Sequence, residues 1–105
     1  ISNLEAIRNF NKLDKLYFFN TPISSLEPLS GLTSLRELRG EASKINDISP
    51  LKNLSSLNFL DIPNTSITDL KPLSNLVQLE RIDFSNTQVK SLDGLQGLRK
   101  LKNVI

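Results

Sequence analysis

Asp61 and Asp83 stand 22 residues apart, and the same step separates Lys15 from Glu37 and Arg39 from Asp61. Two carboxylates stacked in this way could coordinate calcium, receive a partner's lysine, or share a proton as an acid/base pair. Calcium wants more oxygen ligands than two side chains supply. Arg39 and Arg81 stand in positions that ease both negative charges, so two solvated aspartates are expected, with no catalytic and no metal site. The rest of the composition points the same way. The chain has no cysteine, histidine, methionine or tryptophan. The usual nucleophile–base pairs and nearly all zinc or copper sites are therefore excluded. Catalysis would rest on carboxylates, lysines, Tyr17 or hydroxyls alone. No phosphate loop or pocket-forming insertion supports them, so neither an enzyme nor a cofactor is expected.

Charge narrows the partners. Thirteen basic and eleven acidic residues leave a net charge of +2, with an isoelectric point near 9.1. No basic stripe exists to follow a phosphate backbone, so nucleic-acid binding is not expected. The basic run Arg99-Lys100-x-Lys102 falls beside apolar Leu98 and Leu101 and suits a solvated outer face. No apolar run approaches the ~18 residues of a membrane span, so membrane insertion is not expected either. The first residues carry no secretion-signal pattern and no initiator methionine. The expectation is an excised or mature stretch with any targeting signal outside it.

The elements that would position these side chains follow from a 22-residue period. Leu13, Leu35, Leu57, Leu79 and Leu101 keep it without a substitution, and Leu16, Leu38, Leu60, Ile82 and Val104 keep it with conservative ones. Ile23, Ile45, Ile67 and Val89 form another column, and Leu26, Ile48, Leu70 and Leu92 a further one. Leu29, Leu51, Leu73 and Leu95 run parallel to Leu32, Leu54, Leu76 and Leu98. Pro28, Pro50 and Pro72 share a position that Gly94 takes in the last unit. Such a period is the mark of stacked repeats, each unable to bury its apolar face alone.

Within a unit, Leu16-Tyr17-Phe18-Phe19-Asn20 alternates buried and variable positions, as a strand with one buried face does. Asn20, Asn64 and Asn86 follow the strand, where a buried amide is expected to bond backbone groups of adjacent coils. Thr21, Ser43, Thr65 and Thr87 are expected to form a second ladder of this kind. The return arm, Leu26-x-Pro28-Leu29-x-x-Leu32-x-x-Leu35, spaces apolar residues by three and suits a short helix or 3₁₀ segment. Ser25, Asp47, Asp69 and Ser91 precede it as N-cap candidates, and the proline falls in the first turn, where its missing N–H costs nothing. The predicted fold is an α/β solenoid: a right-handed leucine-rich-repeat horseshoe with a parallel concave sheet and short 3₁₀ or helical convex arms. Residues 1–105 form one domain of about four full repeats plus partial units, expected to be cut from a longer array with flanking repeats or caps. Ile1 falls in the column of Ile23.

Units such as Ile45-Asn46-Asp47-Ile48-Ser49-Pro50-Leu51-Lys52-Asn53-Leu54-Ser55-Ser56-Leu57 resemble the bacterial internalin-type 22-residue leucine-rich repeats, and the resemblance covers essentially the whole chain. One departure is Asn-Thr at residues 64–65 and 86–87, where that family often has Asn-Asn. The resemblance implies protein or receptor binding through the concave face and a bacterial secreted or cell-surface protein. It assigns no individual binding residue.

One unit is irregular. Gly40 replaces the large residues Phe18, Ile62 and Phe84, and Ala42 replaces the asparagine. A void at Gly40 would cost several kcal/mol unless neighbours fill it, and Phe18 next door is large enough to do so. A glycine there would also let a ligand's backbone approach closely.

Alternation places Lys15-Tyr17-Phe19, Glu37-Arg39-Glu41, Phe59-Asp61-Pro63 and Arg81-Asp83-Ser85 on the open face. Nothing in the repeat requires aromatics there, and exposed aromatics with arginine typify binding hot spots. The expected function is a protein-recognition module for a protein partner whose identity the residues do not reveal. Tyr17, Phe19, Arg39, Phe59, Asp61, Arg81 and Asp83 are the candidate contacts. The alternative is a structural spacer or sensor arm that positions a separate effector or enzymatic domain.

Overall fold

The computed structural model describes residues 3–105; the expectation for Ile1 lies outside them. Five strands form one parallel sheet in chain order: β1 (Lys15–Phe19), β2 (Glu37–Glu41), β3 (Phe59–Asp61), β4 (Arg81–Asp83) and β5 (Asn103–Val104). Their register repeats the sequence period, with Leu16 opposite Leu38, Leu38 opposite Leu60, Leu60 opposite Ile82 and Ile82 opposite Val104. The architecture is thus a solenoid of about four turns, as the period requires.

The return arms bring each chain back to the start of the next strand. Short 3₁₀ turns span Glu5–Ile7, Glu27–Leu29, Ser49–Leu51 and Lys71–Leu73. The three-residue apolar spacing explains why these arms are 3₁₀. Every third N–H bonds the carbonyl three residues back, as in Leu29 to Leu26 (2.8 Å), Leu32 to Leu29 (3.0 Å) and Leu35 to Leu32 (3.0 Å). With three residues per turn, all those leucines fall on one side. That side is the core: Leu29, Leu35, Ile45, Leu51, Leu54, Leu57, Leu60, Leu73 and Leu79 are wholly excluded from solvent.

Three local expectations need correction. The asparagine column is not a ladder of buried amides. Asn20, Asn64 and Asn86 are exposed, and they adopt left-handed backbone, with φ of 55°, 56° and 55°. Asparagine is selected there because it tolerates that conformation better than other side-chain-bearing residues. The bonds between coils come from the backbone instead, as in Asn20 N–H to the Glu41 carbonyl (3.0 Å) and Asn64 N–H to that of Ser85 (2.9 Å). The hydroxyl column also works within its own turn. Ser43, Thr65 and Thr87 donate to the carbonyls of Gly40 (2.9 Å), Ile62 (2.9 Å) and Phe84 (2.6 Å), three residues back in each case.

The caps act one position earlier than expected. The residue flanking each proline-bearing 3₁₀ turn is Leu26, Ile48 or Leu70, and none makes a side-chain cap bond. Ser25, Asp47, Asp69 and Ser91 instead accept the N–H two residues on, at 3.2, 2.9, 2.9 and 3.1 Å. The last arm also diverges. Leu92 is 57% exposed, although Leu26, Ile48 and Leu70 in its column are buried. Gly94 replaces the proline and takes φ +111°, a conformation the proline ring forbids. Its backbone lies so close to the Leu70 carbonyl oxygen that a Cβ would sit 2.4 Å away. The arm therefore starts along a different path and leaves Leu92 outside.

The irregular unit keeps the fold by two different means. At Gly40 an added Cβ would meet Phe18 Cε1 and Cζ at 2.9 Å, so the Phe18 ring occupies the space that a side chain fills elsewhere. Ala42 has no such compensation. It is held at φ 54° without asparagine's tolerance for that region. Ala42→Asn is expected to stabilise the protein by about 1 kcal/mol, read as a higher urea midpoint at unchanged slope. An unchanged or lower midpoint would show that the backbone carries no strain there.

Candidate functional site

Strand alternation sends one set of side chains into the core and leaves the other on the open face of the sheet. All seven candidate contacts are on that open face: Tyr17 and Phe19 on β1, Arg39 on β2, Phe59 and Asp61 on β3, and Arg81 and Asp83 on β4. They are not equally available. Phe19 is 72% exposed and Tyr17 is 53% exposed, whereas Phe59 is half-buried and Pro63 is buried. The aromatic surface is therefore concentrated on β1.

The charges form one connected network across four strands. Arg81 Nε donates to both Asp61 oxygens, at 3.0 and 3.3 Å, and its guanidinium lies 3.9 Å from Asp83. Asp83 also accepts the Ser85 N–H at 3.0 Å and the Ser85 hydroxyl at 2.8 Å. Arg39 reaches Asp61 at 3.9 Å and Glu37 at 3.8 Å, and its guanidinium carbon lies 4.9 Å from the centre of the Tyr17 ring. Lys15 reaches the other oxygen of Glu37 at 4.0 Å. The Asp61 side chain is only 15% exposed, so its pairing with Arg81 is better shielded from solvent than an ordinary surface ion pair.

Asp61 and Asp83 do face each other in register. Arginines answer both charges, as the columns suggest, but the two aspartates are not the solvated pair expected: their side chains are only 15% and 17% exposed. Among the described residues, no group of three or more His, Cys, Asp or Glu is arranged to hold a metal ion. A groove of about 700 Å³ lies on the flank of the solenoid beside Asn46, Asp47, Thr68, Asp69 and Gln88. Its two carboxylates are taken up in capping Ser49 and Lys71. Among the described residues no helix is long and apolar enough to cross a membrane.

Glu37 has a role that the columns do not reveal. The register pairs it with Lys15, but its closest bond is diagonal: the Tyr17 hydroxyl donates to Glu37 Oε2 at 2.5 Å. Diagonal neighbours two residues off register are within reach of an aromatic side chain, and that is the signal that could have found it. The bond to Glu37 raises the Tyr17 phenol above the ordinary tyrosine range, with desolvation and the Glu37 charge adding to it and Arg39 opposing. The sign follows from the proton. Tyr17 donates only while protonated, so this contribution to stability is complete below the ordinary tyrosine pKa and is lost as pH rises through the raised one. Tyr17 is the only tyrosine and there is no tryptophan, so phenolate absorbance reports it alone. Glu37→Gln is expected to bring its titration midpoint down. A midpoint unmoved by the substitution would rule the bond out as the cause.

Two further arginines make ion pairs away from this network. Arg36 makes a two-pronged contact with Asp14, 22 residues back, and Arg8 bridges Glu5 and Glu27. The arginines hold the Asp14 and Glu27 carboxyls below the usual range, chiefly through these hydrogen bonds.

The geometry can be set beside known proteins. The family described as leucine-rich repeats (2 copies) matches residues 55–97. No curated protein matches the chain by sequence. Among solved structures, internalin C2 from Listeria monocytogenes superposes with a TM-score of 0.98 at 30% identity, over 100% of this chain and 46% of that one. A second internalin from the same organism, inlF, superposes with a TM-score of 0.83 at 23% identity, over 99% of this chain and 38% of that one. The second likeness is one of fold alone. The chain thus spans less than half the length of either protein.

Proposed function

These repeats are leucine-rich repeats of the bacterial internalin type, and on that premise we propose that the chain binds a protein partner on the concave, open face of its sheet. Repeats of this type generally mediate protein–protein interaction. One observation carries the choice of face: Phe19 and Tyr17 stand exposed there, beside arginines and carboxylates already held in place by one another. A surface fixed in this way loses little conformational freedom when a partner arrives. Tyr17, Phe19, Arg39, Phe59, Asp61, Arg81 and Asp83 form the proposed contact set, with the aromatics as anchors. No chemical step is assigned to it. The likeness to the Listeria internalins favours a secreted or cell-surface location in a bacterium.

The same network also favours a second reading. Because Asp61, Asp83 and Glu37 find their cations within the chain, the face is also compatible with a spacer or sensor arm that positions another domain. Partner capture separates the two. The protein is compared with a variant carrying Tyr17→Ser, Phe19→Ser and Phe59→Ser, after circular dichroism has shown both folded alike. A partner retained by the protein and lost by the variant supports recognition through this face. If the same proteins, or none, are captured by both, the aromatic face is not the site and the spacer reading moves ahead.

A further inference from the structure

On the face as a whole, Lys15, Arg39 and Arg81 stand against Glu37, Glu41, Asp61 and Asp83, so one negative charge is left over. It can be located. Glu37, Asp61 and Asp83 each lie within 4.0 Å of a lysine or arginine nitrogen. Glu41 is exposed, and its carboxylate makes no ion pair or hydrogen bond among the described residues. Directly across from it in the register stands Phe19, the most exposed aromatic of the chain.

The neighbouring row shows how a guanidinium uses a ring and a carboxylate on this face. There Tyr17 on β1 and Glu37 on β2 flank Arg39, whose guanidinium covers the tyrosine ring and lies 3.8 Å from the carboxylate. One row on, the carboxylate itself, Glu41, stands directly across from the ring of Phe19, two residues beyond Arg39 on β2, and no cation among the described residues accompanies the pair. A guanidinium fits such a pair better than an ammonium does. It stacks flat on a ring while offering two parallel N–H groups to one carboxylate.

We propose that Phe19 and Glu41 form a seat for an arginine side chain of the protein partner, the guanidinium stacking on the ring and pairing with the carboxylate. This rests on the recognition reading above and adds to it the chemistry of the partner's anchor. A guanidinium seated there would cancel the unbalanced charge of the face.

The test uses a probe small enough to report the seat alone. N-acetylarginine amide is titrated into the isotopically labelled protein and followed by nuclear magnetic resonance, with N-acetylcitrulline amide as the uncharged isostere. Saturable shifts confined to Phe19 and residues 40–43, absent with citrulline, are expected. Glu41→Gln should weaken the binding by about tenfold, the usual scale for one charge-assisted pair. Phe19→Leu, which keeps an apolar side chain but removes the ring, should weaken it several-fold. Equal shifts with citrulline, binding unaffected by Glu41→Gln, or shifts spread evenly over Glu37, Asp61 and Asp83 would each overturn the seat. Its failure leaves partner capture by the aromatic face standing. Loss of partner capture with the seat intact would remove the recognition reading and not the seat.

Discussion

Phe18→Ala should destabilise the protein by about 3–5 kcal/mol, and adding Gly40→Ile to it should restore a substantial part of the loss. Phe18 fills two places at once, its own and the one that Ile62 fills in the next unit. Its ring atoms lie where a Cβ on Gly40 would be. Removing the ring therefore opens a larger void than the same substitution would where the neighbouring column is filled. Gly40→Ile alone should cost about 1–3 kcal/mol, because the new side chain and the ring compete for one space. Together the two changes move the volume from one strand to the next. Urea unfolding of the four proteins gives the coupling directly, and its expected sign is a double variant more stable than the sum of the single losses. Strict additivity would show that the ring and the glycine do not share that space.

The second large effect concerns position along the array. Leu54 and Leu98 occupy the same place in their repeats, buried at 0% and 5% exposure. Leu54→Ala should cost about 2–5 kcal/mol, a large share of the roughly 5–15 kcal/mol typical of a whole domain. Leu54 is packed between coils on both sides, so its loss uncouples the units before it from those after it. Hydrogen exchange should then accelerate from β1 to β5. Leu98→Ala should accelerate exchange mainly over residues 92–105, where the arm already departs from the pattern at Gly94. If both substitutions loosen the whole molecule equally, the repeats unfold as one block and nearest-neighbour coupling is not the relevant description.

These effects show what could be read from the residues and what could not. The leucine columns are legible because a buried position repeated every 22 residues selects the same residue type each time, and that selection fixes strand register as well as core. Asn20, Asn64 and Asn86 form an equally clear column, yet the column alone does not disclose its cause. Asparagine is chosen both for amide bonding and for left-handed backbone, and sequence alone does not separate the two. The φ values near 55° do. The capping residues were recognised by type, but their bonds fall one position away, because the 3₁₀ turn begins after an apolar residue. On the open face, the column pairs Arg39–Asp61 and Lys15–Glu37 follow from the period. The Tyr17–Glu37 bond does not, since diagonal contacts depend on side-chain reach. Nor does the inequality between exposed Phe19 and half-buried Phe59, which depends on the neighbouring strands.

The pairing of each strand with the residues 22 positions on also makes the length of the molecule a stepwise quantity. Excising any 22 consecutive residues from the middle of the array joins each position to the one that follows it in the period, so every core column stays in phase wherever the cut is made. The open face shortens by one strand spacing, about 4.8 Å, and changes only in which residues become neighbours. Removing residues 42–63, for example, would carry Glu41 straight into Asn64 and place Asp83 where Asp61 now lies beside Arg39. A gene of this kind can recombine with itself at any point of its period and still encode a packed core, while each exchange presents a partner with a new surface.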